Sequence, residues 1–141
     1  MPFFDNLAVM TKALTDAEDE RKAIAEGIME ALPDAIFVVN ESGAIVMANQ
    51  SALNLSGYKN NELLGMNIEM LVPPERRARH REERSEYSSN PINRPMNEGR
   101  ELLLLRKDST QVYVLIALNP VRTRTGNCTI AVVRINEPNG S

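Results

Sequence analysis

Residues 101–118 restrict the fold more than any other stretch. Two apolar arms, Glu101–Arg106 and Gln111–Leu118, flank the polar residues Lys107, Asp108, Ser109 and Thr110. The arms are rich in leucine and in β-branched or aromatic side chains, and the spacer is turn chemistry. The stretch therefore predicts a strand, a short turn and a second, antiparallel strand. Any fold for this chain has to accommodate that hairpin.

A second strand pair is predicted nearer the start. Ala35–Val39 and Ala44–Ala48 are apolar runs separated by Asn40, Glu41, Ser42 and Gly43. Beyond Pro120, residues 122–127 form a polar turn containing Gly126, and Cys128–Ile135 supply a last strand. Between the hairpins the signals are helical. Asn49 caps a helix through Ala52, Leu53 and Leu55 that Gly57 ends. Residues 61–65 make a short helix stopped by Gly65. From Pro74 the run PERRARHREERSEYSS has good helix formers and almost no apolar face, and Pro91 and Pro95 close it. Five strands, two before the helices and three after, give an α+β fold: an antiparallel sheet with helices packed over one face.

Ahead of this unit, residues 6–32 carry a helical stripe with Asp5 as its N-cap. Leu7, Met10, Leu14, Ala17, Ile24, Ile28 and Ala31 recur at spacings of three and four, with Arg21 on the seam. The pattern holds for about four heptads, so Leu7, Met10, Leu14, Ile24 and Ile28 are assigned to a dimer-forming or signal-carrying helix. The division is residues 1–27 for the helix, 28–135 for the domain and 136–141 for a disordered tail.

Bulk properties narrow the function. A chain of 141 residues holds one domain and an appendage. A formal charge of −3 offers no general basic footprint for nucleic acid. No apolar run spans a bilayer and no secretory signal opens the chain, so no membrane is expected and the default location is cytoplasmic. The single cysteine, Cys128, suits a reducing compartment and reads as a strand residue of the core. The sole histidine, His80, has no second histidine or cysteine to share a metal, and neither a phosphate loop nor a serine elbow occurs. The chain is thus read as no enzyme, with no catalytic residues and no metal site.

Several words, in order, resemble bacterial PAS sensor domains. They are Leu32-Pro33-Asp34-Ala35, Asn49-Gln50-Ser51-Ala52, Ser56-Gly57-Tyr58, Asn61-Glu62-Leu63-Leu64-Gly65 and Leu71-Val72-Pro73. The hairpin adds Gly99-Arg100-Glu101-Leu102, Arg106-Lys107-Asp108 and the closing Asn119-Pro120. The resemblance covers residues 28–135. It implies a five-stranded antiparallel sheet of order 2-1-5-4-3, helices on one face and a pocket between them. The chain departs from the family at Ser109, where glycine is usual, and at Arg134-Ile135-Asn136, which stands for Asp-Ile-Thr.

In function, the resemblance implies a signal-transduction module of a bacterial two-component type. Such a module binds a small ligand or an effector protein and relays it through helix packing in a homodimer. The pocket lining is assigned to Phe37, Val39, Leu53, Met66, Met70, Val114, Ile116 and Leu118. No resident cofactor follows from the residues alone. Within the family, the haem-binding oxygen sensors are similar in Arg79-His80, Tyr87 and Gly99-Arg100. That likeness implies an alternative: haem b with His80 on the iron and Arg100 on bound gas. Glu83 and Arg84 replace apolar or aromatic residues of that subgroup, which ranks haem second. A third reading is a ligand-free dimerisation module.

Overall fold

The computed structural model describes residues 2–96 and 102–136, with side chains from Leu7 onward. Two units result, Met1–Leu32 and Pro33–Ser141. The first is the helix α1, Pro2–Ala31. It begins at Pro2 rather than after Asp5, and proline is tolerated in a first turn because its missing N–H would have no partner there. The stripe residues Leu7, Met10, Leu14, Ile24 and Ile28 are all more than half exposed in the single chain. Among the described residues, no helix is long and apolar enough to cross a membrane.

In the second unit, strands β1 (Ala35–Asn40), β2 (Ile45–Ala48), β3 (Leu102–Leu105), β4 (Gln111–Thr123) and β5 (Gly126–Ile135) form one antiparallel sheet of order β2-β1-β5-β4-β3. Strand β1 lies inside the sheet, and its first three residues are buried, which is why it reads as an unbroken apolar run. The turn into β2 is an Asn turn: Asn40 Oδ1 accepts from the backbone N–H groups of Ser42 and Ala44 at 3.1 and 3.0 Å.

The roof comprises α2 (Gln50–Ser56), α3 (Asn60–Leu63) and α4 (Arg77–Ser89), with short 3-10 turns at Ile68–Leu71 and Pro74–Arg76. Asn49 caps α2 through Ala52 N, and Gly57 ends it in the left-handed conformation with φ 79°. The basic pair after β3 then closes the roof. Arg106 Nε donates to Leu55 O at 3.0 Å and Lys107 N to Ser56 O at 2.9 Å. Two carbonyls at the end of α2 that no helical N–H reaches are thereby satisfied. Lys107 Nζ also pairs with Glu62 at 2.7 Å.

Strand β4 runs further than the sequence indicates. It passes through Pro120 to Thr123, and β5 begins at Gly126. Proline is acceptable because β3 pairs only with Gln111–Val114, so the side of β4 away from β5 has no N–H to offer at Pro120. Ser109, where glycine is usual, has φ 72°, in the region that favours glycine. Asp108 Oδ1 steadies the turn by accepting from Thr110 N and Oγ1 at 3.0 and 2.6 Å. Ser109→Gly is expected to stabilise the chain by about 0.5–1 kcal/mol, since a non-glycine residue costs about 1–2 kcal/mol in this region and glycine's extra chain entropy offsets part of it. A thermal melt checks this; an unchanged or lower Tm would mean the turn stores no strain.

Candidate functional site

The inner face of the sheet and α4 border a partly open cavity of about 790 Å³, within the range of small-molecule sites. The floor is aliphatic and aromatic: Phe37 and Val39 of β1, Val114, Ile116 and Leu118 of β4, and Val133 of β5. Alternation along each strand puts these residues on one face. The wall is α4 and its approach, with Arg76, Arg79, His80, Glu83, Arg84 and Tyr87. Five of the eight residues assigned to the pocket from sequence, Phe37, Val39, Val114, Ile116 and Leu118, line this space. Leu53 and Met66 instead pack against the buried core, and Met70 is exposed. The part of the roof that carries Leu53 and Met66 closes directly on the core, whereas the wall that faces the open space carries long polar side chains.

Sequence reasoning missed the charge cluster behind that wall. Glu69 is 3% exposed, yet nothing around Ile68–Leu71 marks it as a buried acid. The signal lay on α4. Arg77, His80, Arg81 and Arg84 follow the i, i+3, i+4, i+7 spacing of an inward stripe, written in arginine and histidine rather than in apolar residues. Arg84 Nε donates to Glu69 Oε1 at 3.0 Å, and Arg81 Nε lies 4.0 Å from the same oxygen. Arg77 Nε binds the carbonyls of Glu69 and Val72 at 3.0 and 2.9 Å. The stripe thus holds α4 by ion pairing and backbone hydrogen bonds where an ordinary helix would use apolar packing.

Arg84 also donates to Glu41 O at 3.1 Å, tying the wall to the β1–β2 turn. Gly43 makes room for it: a Cβ there would lie 2.8 Å from Arg84 Cζ. Glu83, on the next face, pairs with Arg79 at 3.1 Å.

His80 lines the cavity with Nδ1 buried and without a hydrogen-bond partner, 3.9 Å from Glu69 Oε1. Burial lowers its pKa below the ordinary 6.5; Glu69 and Glu83 oppose that shift, and Arg84 adds to it. The neutral imidazole is therefore the favoured form. Because the unfolded chain takes up this proton at a higher pH than the folded chain, the folded state loses stability as pH falls through 6.5 toward the depressed value. His80→Gln should flatten the fall in urea midpoint between neutral pH and about pH 5. Identical slopes for both proteins would remove His80 from the acid sensitivity. Arg100 lies outside the described residues, as does the assigned tail beyond Asn136.

This arrangement, a sheet of order 2-1-5-4-3 under a helical roof with a cavity between them, is that of a PAS domain. The family model described as PAS fold matches residues 24–137. The chain belongs to the PAS family, as a sensory domain akin to those of known sensor proteins. It is 31% identical over 121 residues to the oxygen sensor protein DosP of Escherichia coli strain K12, a match covering 86% of this chain and 15% of that protein. It is 28% identical over 112 residues to the sensor protein FixL of Bradyrhizobium diazoefficiens, covering 79% of this chain and 22% of FixL. The chain thus spans a minor part of either relative. Among solved structures, the PAS domain of an HTR-like protein from Haloarcula marismortui superposes with a TM-score of 0.69 at 23% identity, covering 89% of this chain and 99% of that one. The Rhodobacter sphaeroides LOV protein gives 0.68 at 19% identity, covering 85% and 70%. At these identities the two structures share the fold.

Proposed function

We propose that this domain takes a small ligand into the cavity between its sheet and α4, and passes occupancy on through α1 in a homodimer. The cavity carries the reading: about 790 Å³ of space above a floor of aliphatic and aromatic side chains, against a wall held by ion pairs. A ligand shifts such a domain only by its difference in affinity between two packing states. The element placed to differ is α4, since the ligand would touch its cavity side while Arg84 fastens it to Glu69 and to the β1–β2 turn. The relay is supported by the exposed stripe of α1, whose seam a second copy would cover.

Two variants test this. Ile116→Trp should project an indole into the cavity and weaken stabilisation by any ligand that raises the Tm of the native chain. Leu14→Glu with Ile24→Glu should convert a dimer to monomer in sedimentation without loss of the fold. An unmodified chain that stays monomeric at high concentration would end the relay.

His80 favours a second reading, a haem-based gas sensor, and one relative is named as an oxygen sensor. The residues fit the group: a desolvated imidazole, held neutral, borders a cavity floored by Ile116 and Leu118. When bound, haem b supplies an iron that ligates a gas reversibly. In this chain His80 would offer the ring nitrogen not turned toward Glu69, and the apolar floor would exclude water. Reconstitution with haemin should give a Soret band in the native chain and none in His80→Ala. A colourless native protein after reconstitution rules this reading out.

A further inference from the structure

We propose that the occupant of the cavity is an organic acid with an apolar body, its anionic group held by Arg94 at the lip and its body laid along the sheet. This rests on the cavity being a ligand site. The floor residues Phe37, Val39, Val114, Ile116 and Leu118 offer no polar side chain, so a ligand's apolar body lies against them and its polar group faces the wall or the rim, where it can be paired.

At the rim the cations are not equivalent. Arg79 is paired with Glu83, and Arg84 with the buried Glu69. Arg94 has no carboxylate within 4.0 Å among the described residues. It is nevertheless held at both ends. Its backbone N donates to Leu118 O at 2.8 Å and its O accepts from Leu118 N at 2.9 Å, so the residue is fastened to the end of the floor. Its guanidinium carbon lies 5.2 Å from the centroid of the Tyr87 ring. That ring is buried, and its hydroxyl donates to Ile92 O at 2.6 Å, so it cannot swing away.

A guanidinium over an aromatic ring keeps its N–H donors in its own plane, which leaves an edge for a carboxylate. The two oxygens of a carboxylate match that edge with two parallel hydrogen bonds. Arg76 adds a second positive charge to the lining, while the carboxylate of Glu41 already accepts from Asn127 N at 2.9 Å. A positive lip on a chain of net charge −3 selects an anion locally. Arg94 remains exposed to water, so the discrimination expected over a neutral ligand of the same shape is about tenfold rather than thousandfold.

The probes are decanoate and 1-decanol, which share an apolar body and differ in charge, titrated below their aggregation limits into the full chain by calorimetry. Decanoate is expected to bind about tenfold more tightly than decanol. Arg94→Gln should erase that preference, Arg94→Lys should retain part of it, and Ile116→Trp should weaken binding of both alike. Equal affinity for the two probes, or a preference that survives in Arg94→Gln, overturns the acid assignment and leaves the cavity as a ligand site. If neither probe binds, or if Ile116→Trp leaves both affinities unchanged, the ligand-site reading falls and this assignment with it. Should Arg94→Gln fail to fold, the Arg94→Lys affinities decide: a preference equal to the native chain's overturns the role of the planar fork.

Discussion

Ile45→Ala is expected to remove about 3–4 kcal/mol of unfolding free energy, the middle to upper part of the range for a fully enclosed aliphatic side chain. Ile45 is 0% exposed and belongs to the core. Its strand cannot move inward to fill the void, because its backbone N donates to Met66 O and its carbonyl accepts from Gly65 N, each at 2.8 Å. Ile116→Ala is the informative comparison. Ile116 borders the cavity, so part of its surface faces no packed neighbour and loses fewer contacts on truncation. Its cost should be about half that of Ile45→Ala. Urea denaturation of the two variants measures the difference; equal losses would mean that the space beside Ile116 is filled by protein in solution.

The second large effect belongs to a polar residue. Asn49 is 2% exposed and its side chain joins three segments. Oδ1 accepts from Ile36 N at 2.9 Å and Ala52 N at 3.0 Å, while Nδ2 donates to Asp34 O at 3.0 Å. Asn49→Ala removes the cap of α2, worth about 1 kcal/mol, and strands a buried N–H of β1, worth about 1–3 kcal/mol more. A total near 3 kcal/mol is expected. Asn49→Ser keeps an acceptor for the cap and should recover about 1 kcal/mol of that loss. Equal midpoints for the serine and alanine variants would show that the bond to Ile36, rather than the cap, carries the residue's contribution.

The words that pointed to the fold prove to be local chemistry with tertiary partners. Asn49 caps a helix, as its neighbours suggest, but it also bonds to Ile36 and Asp34, thirteen and fifteen residues away. Arg106 and Lys107 read as the rim of a turn, yet they satisfy the end of α2 about fifty residues earlier. Arg134, standing where an acid is usual, forms a two-pronged pair with Asp34 at 3.0 and 2.9 Å, so the end of β5 is tied to the start of β1. These second partners lie far away in the chain, and spacing along one sequence does not encode them.

The candidate site divides along the same line. Phe37, Val39, Val114, Ile116 and Leu118 share one face once β1 and β4 are known to be strands, because a side chain's face depends on the strand's period of two and on nothing distant. Leu53, Met66 and Met70 are equally apolar in the sequence, but whether a roof residue reaches a cavity, a core or water depends on how its helix is set down. Glu69 shows this most sharply. Its burial is tolerable because Arg84, with Arg81 4.0 Å away, both on a helix that begins eight residues later, brings positive charge to its carboxylate. Residue periods, caps and turns were sufficient for the strands, the short helices and the α+β class, since each depends on neighbours within a few residues. The cavity, the buried acid and the stacked Arg94 were decided by tertiary packing, because each needs groups that only the folded sheet and roof bring together.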